Sequence, residues 1–414
     1  MTPFPAVPTA PVAGIGPRAA RAMAAEFARH NAPTTALVIG ADHASTIVAA
    51  AVEALLPDDA LTLVAGERST ADELREHIGG LGSWISDRVK IVDNLAEADP
   101  ADVIIVGEPL TGTAEETRAV IDSLSKHLND GAVVSLATPA VPGRTGGAAA
   151  ELFRQSALFG VGSDLVARNN PPVRVHKLRF TPANTKVAAT LAPAYRPSSV
   201  PVVRTMHIDS NGVAAAGIAL GLAAAARSAR PTSKLWLIPA LAAAPIAAFF
   251  RDPERDIPTD PKAVVAASDG RVLSVEHMTE ERLGGGDYLR IAVFLSVLDV
   301  HVNRIPVAGR VTDYFVEEGG YANAMTAAAE HNVAAYTVLD TDHGKVAVVQ
   351  RTGLIARRIV QRTPVGTLVA KGERMGLIRF GSRTDVYLPA GKAEAKVAVG
   401  DKVIGAASVL ARWK

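Results

Sequence analysis

The residues best placed to do chemistry in this chain are Gly381 and Ser382. They lie in the stretch Met375-Gly-Leu-Ile-Arg-Phe-Gly-Ser-Arg-Thr-Asp-Val-Tyr-Leu-Pro389. On a tight bend, a serine hydroxyl reaches the carbonyl carbon of the residue before it. A glycine there has no Cβ to block the approach or to resist a strained backbone. Attack turns the peptide bond into an ester, elimination leaves dehydroalanine, and hydrolysis gives a new chain that begins with a pyruvoyl group, an electrophilic ketone made from the protein itself. Gly-Ser pairs also mark ordinary turns, so the dipeptide has to be weighed with its surroundings.

Three further motifs precede it in order: Phe249-Phe-Arg-Asp-Pro-Glu-Arg255, Ala266-Ala-Ser-Asp-Gly-Arg-Val272 and Phe294-Leu-Ser-Val-Leu-Asp-Val-His-Val-Asn-Arg304. Taken singly, each has a plain structural reading. Asp269-Gly270 is a turn pair between strands, and His301 follows an apolar run, as a histidine at the end of a buried strand would. Taken together with Phe-Gly-Ser, the four motifs resemble the short, pyruvoyl-dependent form of phosphatidylserine decarboxylase over residues 212–414.

That resemblance implies a proenzyme that breaks between Gly381 and Ser382, giving a large fragment, 1–381, and a small one, 382–414. Ser382 becomes the pyruvoyl cofactor, His301 takes the serine proton, and Asp269 orients the imidazole, the logic of nucleophile, base and orienting acid. The pyruvoyl ketone forms a Schiff base with the serine headgroup of phosphatidylserine and serves as the electron sink for loss of CO2, leaving phosphatidylethanolamine. The route needs no metal. An alternative substrate is another serine-headgroup lipid.

Composition narrows the classes. The chain has 414 residues, a net charge of +1, ten histidines and no cysteine. Disulfides, thiolate catalysis and cysteine metal sites are excluded, and the histidines show no ligand spacing. With no basic stripe, no nucleic-acid partner is expected. The N-terminal Met-Thr-Pro-Phe-Pro-Ala-Val-Pro reads as a lead-in rather than a signal peptide. Two uncharged apolar runs, 212–226 and 235–250, flank Arg227-Ser-Ala-Arg-Pro-Thr-Ser-Lys234. Each is shorter than the ~20 residues a membrane span needs. They predict a helical hairpin attached to a membrane surface, or else one buried within the protein. An enzyme acting on a membrane lipid would sit at the cytoplasmic face of the cell membrane.

The positioning elements divide the chain as a multidomain α/β plus β protein. Apolar strands near 35–40, 61–65, 89–92, 102–106 and 132–137 alternate with helices near 44–56, 71–78 and 114–128. Alternation of this kind predicts a doubly wound, Rossmann-like parallel sheet over 1–195. Its layout resembles an S-adenosylmethionine-dependent methyltransferase, but Gly40-Ala-Asp-His-Ala-Ser45 holds a single glycine where a glycine-rich loop belongs. A degenerate scaffold is therefore expected there, with Asp42, Glu67 and Asp93 the acids to examine. Residues 196–211 read as a linker, 212–250 as the apolar hairpin and 251–414 as a β-rich domain resembling a hybrid sandwich. Two readings of a different class remain: a methyltransferase fused to an inert β-domain, and a lipoyl-type carrier using Lys392 or Lys396.

Overall fold

The computed structural model describes residues 14–141, 146–195, 198–203, 205–354, 358–378 and 382–414. Phe380 and Gly381 lie outside them. The chain divides into two compact units, one of residues 1–197 with 364–368, the other of 198–363 with 369–414.

The first unit is built on β1 (Thr35–Ala41), β2 (Ala60–Ala65), β3 (Val89–Val92), β4 (Ala101–Val106), β5 (Leu128–Pro139), β6 (Gly160–Val166) and β7 (Val173–Leu178). They form one sheet in the order β3-β2-β1-β4-β5-β7-β6. β1 to β5 run parallel, and β7 is antiparallel to both β5 and β6. Helices cover both faces, so the strands read as continuous apolar runs rather than alternating ones. Helix starts follow local chemistry: Thr70 with Glu73, and Thr113 with Glu116, each form a reciprocal capping box. The sheet is the doubly wound Rossmann-like arrangement expected from the alternation, with strand order reversing between β1 and β4.

The second unit contains β8 (Ser199–Val203), β9 (Met206–Asp209), β10 (Arg251–Pro253), β11 (Ala263–Val265), β12 (Gly270–Glu280), β13 (Gly286–Leu295), β14 (Val302–Arg304), β15 (Gly309–Glu317) and β16 (Ala334–Thr341). It continues through β17 (Gly344–Arg351), β18 (Ile359–Gln361), β19 (Leu368–Val369), β20 (Arg374–Ile378), β21 (Ser382–Pro389), β22 (Ala393–Ala395), β23 (Lys402–Val403) and β24 (Val409–Trp413). Its main sheet has the order β19-β15-β16-β17-β21-β13-β12-β23, and the run from β15 to β23 pairs antiparallel. Three small sheets, β10-β9-β8, β11-β24-β22 and β14-β20-β18, accompany it.

Residues 196–211, read above as a linker, carry β8 and β9. Pro201 misled that reading. It sits in an edge strand, where a residue without an N–H costs no ladder hydrogen bond. The apolar runs form helices Ser210–Ala229 and Leu237–Phe249, which pack against each other. They are not buried within the protein: only 17% of the longer helix's apolar window is covered, and Ile218, Leu222, Ile238 and Leu241 are exposed.

Strand β21 is central, held by β13 on one side and β17 on the other. Because side chains alternate along a strand, its residues divide between two buried surfaces. Val386 and Leu388 join a core with Ile291, Val293 and Val348, while Tyr387 joins a second cluster with Tyr336 and Val349. On the Tyr387 side, Asp385 is wholly buried and accepts hydrogen bonds from Arg351 at 2.9 Å and Arg383 at 2.6 and 2.9 Å. Glu330 accepts from Arg383 and Arg290. Burial alone would raise the Asp385 carboxyl, but Arg383 and Arg351 hold it below its ordinary value. Burial would likewise lower Arg351, but Asp385 outweighs it and keeps the guanidinium charged. Removing one partner strands a buried charge. Asp385→Ala should therefore cost about 3–5 kcal/mol in denaturant melts of the second unit, whereas Glu394→Ala, at the exposed pair with Lys396, should leave the midpoint where it was. Equal midpoints for both variants would remove the network from the account of what fixes β21.

Candidate active site

Ser382 is the first residue of β21, opposite Leu295 at the end of β13. Its side chain is fully buried, and its Oγ has no hydrogen-bond partner among the described residues. Thr384, two residues on and so on the same face, shares a 2.7 Å hydrogen bond with the Ser268 hydroxyl. Leaving a buried hydroxyl unpaired costs about 1–3 kcal/mol, so a free hydroxyl at this position calls for a reason.

His301 comes from the turn between β13 and β14. Asp299 shapes that turn, its side chain accepting from the Ser296 N–H at 2.8 Å. The His301 Nδ1 lies 2.8 Å from the Asp299 backbone carbonyl. A carbonyl only accepts, so Nδ1 bears the hydrogen and Nε2 the lone pair. That Nε2 is buried and has no partner among the described residues. Burial lowers the His301 pKa to about 4 against a smaller upward push from the Asp299 carbonyl, so the ring is neutral near pH 7 and its Nε2 lone pair is unprotonated. The Phe249 ring lies over the imidazole, centroids 4.2 Å apart, so the end of the second apolar helix forms a wall of the site. Arg251, just beyond it, donates to the Leu298 carbonyl in the same turn.

Asp269 does not occupy the orienting place expected for it. Its carboxylate accepts from Arg255 at 2.8 and 2.9 Å and from the Gly405 N–H at 2.8 Å. Among the described residues no hydrogen bond joins it to His301, whose Nδ1 is taken by Asp299. Gly270 explains why the turn is where it is: at φ +147° a Cβ would stand 2.0 Å from the Phe294 carbonyl oxygen. The turn therefore presses on the end of β13, beside the residue opposite Ser382. Ser382 Oγ and His301 Nε2 are thus two buried polar atoms with no partner among the described residues, and Asp269 braces the turn beside β13. No group of acids and histidines able to hold a metal occurs among the described residues.

Sequence reasoning missed several contributors. Arg255 and Asp252 were in view inside Phe-Phe-Arg-Asp-Pro-Glu-Arg but unassigned. Asp252 is buried and accepts from Arg304 at 2.6 Å, from Ser199 at 2.5 Å and from Arg374. Burial would raise its carboxyl, but Arg374 and Arg304 hold it down. These bonds tie β10 to β14 and β20, strands that follow His301 and precede Ser382 in the chain. The Asp299 carbonyl carries no sequence signal, because any residue supplies one.

In the first unit, the loops at the switch point are stitched together. The Gly66 N–H donates to Ala41 and the Gly107 N–H to Ile39, and Arg68 pairs with Glu108 at 2.8 Å. A Cβ on Gly66 or Gly107 would meet the Gly40 backbone within about 3 Å. Asp42 is turned to the Ala44 N–H and to Ser69, while Glu67 and Asp93 are exposed.

Comparison with known proteins gives two sets of likenesses. Phosphatidylserine decarboxylase is the family whose profile matches, over residues 243–411. The phosphatidylserine decarboxylase proenzyme of Symbiobacterium thermophilum is 48% identical over 166 residues, 40% of this chain and 77% of the relative. That of Oleidesulfovibrio alaskensis is 44% identical over 168 residues, 40% and 76%. Among solved structures, the precorrin-6y C5,15-methyltransferase of Geobacter metallireducens matches with a TM-score of 0.29 at 17% identity, covering 39% of this chain and 87% of that one. The O-methyltransferase TomG of Streptomyces achromogenes matches with 0.30 at 15%, covering 41% and 83%. At those scores the structural likenesses add nothing to the strand order already described. The sequence likeness is of another kind, spanning three quarters of each relative's length, and by it this chain belongs to the phosphatidylserine decarboxylase family.

Proposed function

We propose that the second unit is a self-processing decarboxylase that converts phosphatidylserine to phosphatidylethanolamine and CO2. The observation that carries this reading is the pair of buried, unpartnered atoms, Ser382 Oγ and His301 Nε2, in a chain of this family. His301 in its Nε2-basic tautomer accepts the Ser382 proton, and the oxygen attacks the carbonyl carbon of Gly381 as the C–N bond breaks. The same histidine returns the proton to the departing nitrogen. Elimination across Cα–Cβ of residue 382 frees the Gly381 carboxylate, and water releases ammonia to leave the pyruvoyl end. When formed, that ketone supplies the electron sink a decarboxylation needs. Asp269 and Arg255 brace the turn beside β13, and the Asp385 network keeps β21 in place once its N-terminal side is free.

The apolar hairpin supports a place on the cytoplasmic face of the cell membrane, next to the lipid. Helix Ser210–Ala229 is long and apolar enough to cross a bilayer, but Leu237–Phe249 has only 13 residues. At 1.5 Å per residue that is roughly 20 Å, too short to return across a core of about 30 Å. The hairpin therefore lies in the interface. Arg227, stacked over Trp236 at 5.1 Å, sits with Arg230 and Lys234 at headgroup level.

Three outcomes follow. Intact mass of purified protein should show the 33-residue fragment 382–414 with a blocked N-terminus. Ser382→Ala should abolish the cleavage, and His301→Gln should slow it about 100-fold or more. A folded, active wild type in one unbroken chain refutes the reading. Second, because the His301 pKa is lowered from 6.5 to about 4 in the folded state, its contribution is fully present above pH 6.5 and lost as pH falls toward 4. That amounts to on the order of 3 kcal/mol. The pH slope of stability in this window should shrink in His301→Gln, and an unchanged slope would mean that the imidazole is not buried neutral. Third, the full chain should bind anionic vesicles more tightly than zwitterionic ones. Changing Arg227, Arg230 and Lys234 to Gln should weaken binding about 100-fold at low salt, at about 1 kcal/mol per basic residue. Indifference to lipid charge would exclude this mode of attachment.

A further inference from the structure

The inner face of the main sheet changes character along its strands. At one end Leu289, Ile291, Val346 and Leu388 form a continuous apolar core. At the end bearing Ser382 the same face is polar: Thr384 lies opposite Gln350, and Thr337 receives a hydrogen bond from Gln361 at 2.9 Å. All four strand positions, Ser382, Thr384, Gln350 and Thr337, are fully buried.

Asn303 reaches this face from β14. It stands two residues after His301, which immediately precedes that strand. Gln350 Nε2 lies 2.7 Å from Asn303 Oδ1, and both residues are fully buried. The remaining halves, Asn303 Nδ2 and Gln350 Oε1, have no partner among the described residues. The assignment of oxygen and nitrogen does not affect this result. If both amides are flipped, the bond between them reverses, and one N–H donor and one carbonyl acceptor are still left over. The pair is close, in register or along the chain, to both Ser382 and His301: Gln350 is opposite Thr384, next but one to Ser382, and Asn303 is next but one to His301.

We propose that the Asn303–Gln350 amide pair binds the amino-acid end of the serine headgroup, its free N–H taking a carboxylate oxygen and its free carbonyl taking an N–H of the amino group. This inference rests on the decarboxylase reading above and names a recognition element for it. Apolar residues of the same shape would fill the space without stranding two polar groups, and a water-filled structural site would have no need of the side facing Ser382. The choice of neutral amides also suits the reaction. An arginine would hold the carboxylate charge in the ground state, which is lost as CO2 departs, whereas amides orient the group with less stabilisation of what must be given up. Specificity for serine over a headgroup lacking the carboxylate then follows from unpaired polar groups when the carboxylate is missing.

The test uses the full-length, detergent-solubilised protein and two probes whose nitrogen is blocked, N-formyl-O-phospho-L-serine and N-formyl-O-phosphoethanolamine. Both keep one N–H, and only the first has a carboxylate. Calorimetry should show the wild type preferring the first at least 10-fold. Of Asn303→Leu and Gln350→Leu, the variant that removes the free N–H should reduce that preference to within about twofold, and the other should weaken both probes alike. Both variants should cleave to the wild-type extent, since Ser382 and His301 are untouched, and should lose about 10- to 100-fold in kcat/KM, the value of one hydrogen bond to a charged group. The proposal is overturned if the wild type binds the two probes alike, if the variants keep the preference, or if both variants fold yet fail to cleave, which would assign the pair to the precursor's own chemistry. Should one variant fail to fold, the other and the wild type still decide. A wild type that never cleaves refutes the decarboxylase reading, and its binding ratio still reports separately on the amide pair.

Discussion

The second unit depends on the alternation of side chains along β21. One strand must present a free hydroxyl to a dry interior at its first residue and be anchored firmly enough to keep that hydroxyl in place. Two-fold periodicity meets both demands. Ser382 and Thr384 face the inner surface with Gln350, while Arg383 and Asp385 face the opposite one, where Arg351 and Glu330 complete a buried ion network. A one-residue slip of register would exchange the two sets, turning the carboxylate to the inner surface and the serine among the arginines. The buried ions therefore act as a register lock. Such networks seldom add net stability over a well-packed apolar core, and a fixed register is the better account of why one lies directly behind Ser382.

His301 shows how much of a site can rest on backbone. Its tautomer, its orientation and its freedom from a competing partner all follow from one carbonyl, that of Asp299, in a turn capped by the side chain of the same residue. A carboxylate at Nδ1 would raise the imidazole pKa, whereas the neutral carbonyl leaves burial dominant, and the ring stays uncharged. Asp269 is thus released for a different task. With Arg255 it forms a half-buried pair that fixes a turn pressed against the end of β13.

What could be read from the sequence divides along the same physical lines. Periodicity located the parallel strands of the first unit to within a few residues, because helices on both faces make them uninterrupted apolar runs. The 11-residue β12 went unnoticed: Arg271, Glu276, His277 and Glu280 break its apolar pattern, and most of its middle residues are only half-buried. The β8–β9 hairpin was hidden by prolines that an edge strand tolerates. At the candidate site, Ser382, His301 and Asp269 stood out through motifs, and of the roles expected for them the hydrogen bonding of Asp269 to Arg255 and Gly405 departs from the one read for it. Gln350 had no such signal. Its importance comes from what lies opposite it across β17 and β21, and only the fold sets that pairing.

The apolar hairpin and the reactive centre are mechanically continuous. Helix Leu237–Phe249 ends in Phe249, which lies on the imidazole; Arg251 then ties the chain to the His301 turn; and Asp252 binds Arg304 and Arg374 on β14 and β20. Within five residues the chain passes from an exposed apolar helix to a buried ion cluster that joins β14, next to the histidine, and β20. Each added flexible residue here would let the His301 turn move independently of the helix end. The Phe-Phe-Arg-Asp-Pro motif is best understood in these terms, as the rigid joint between the exposed apolar hairpin and the turn that holds His301.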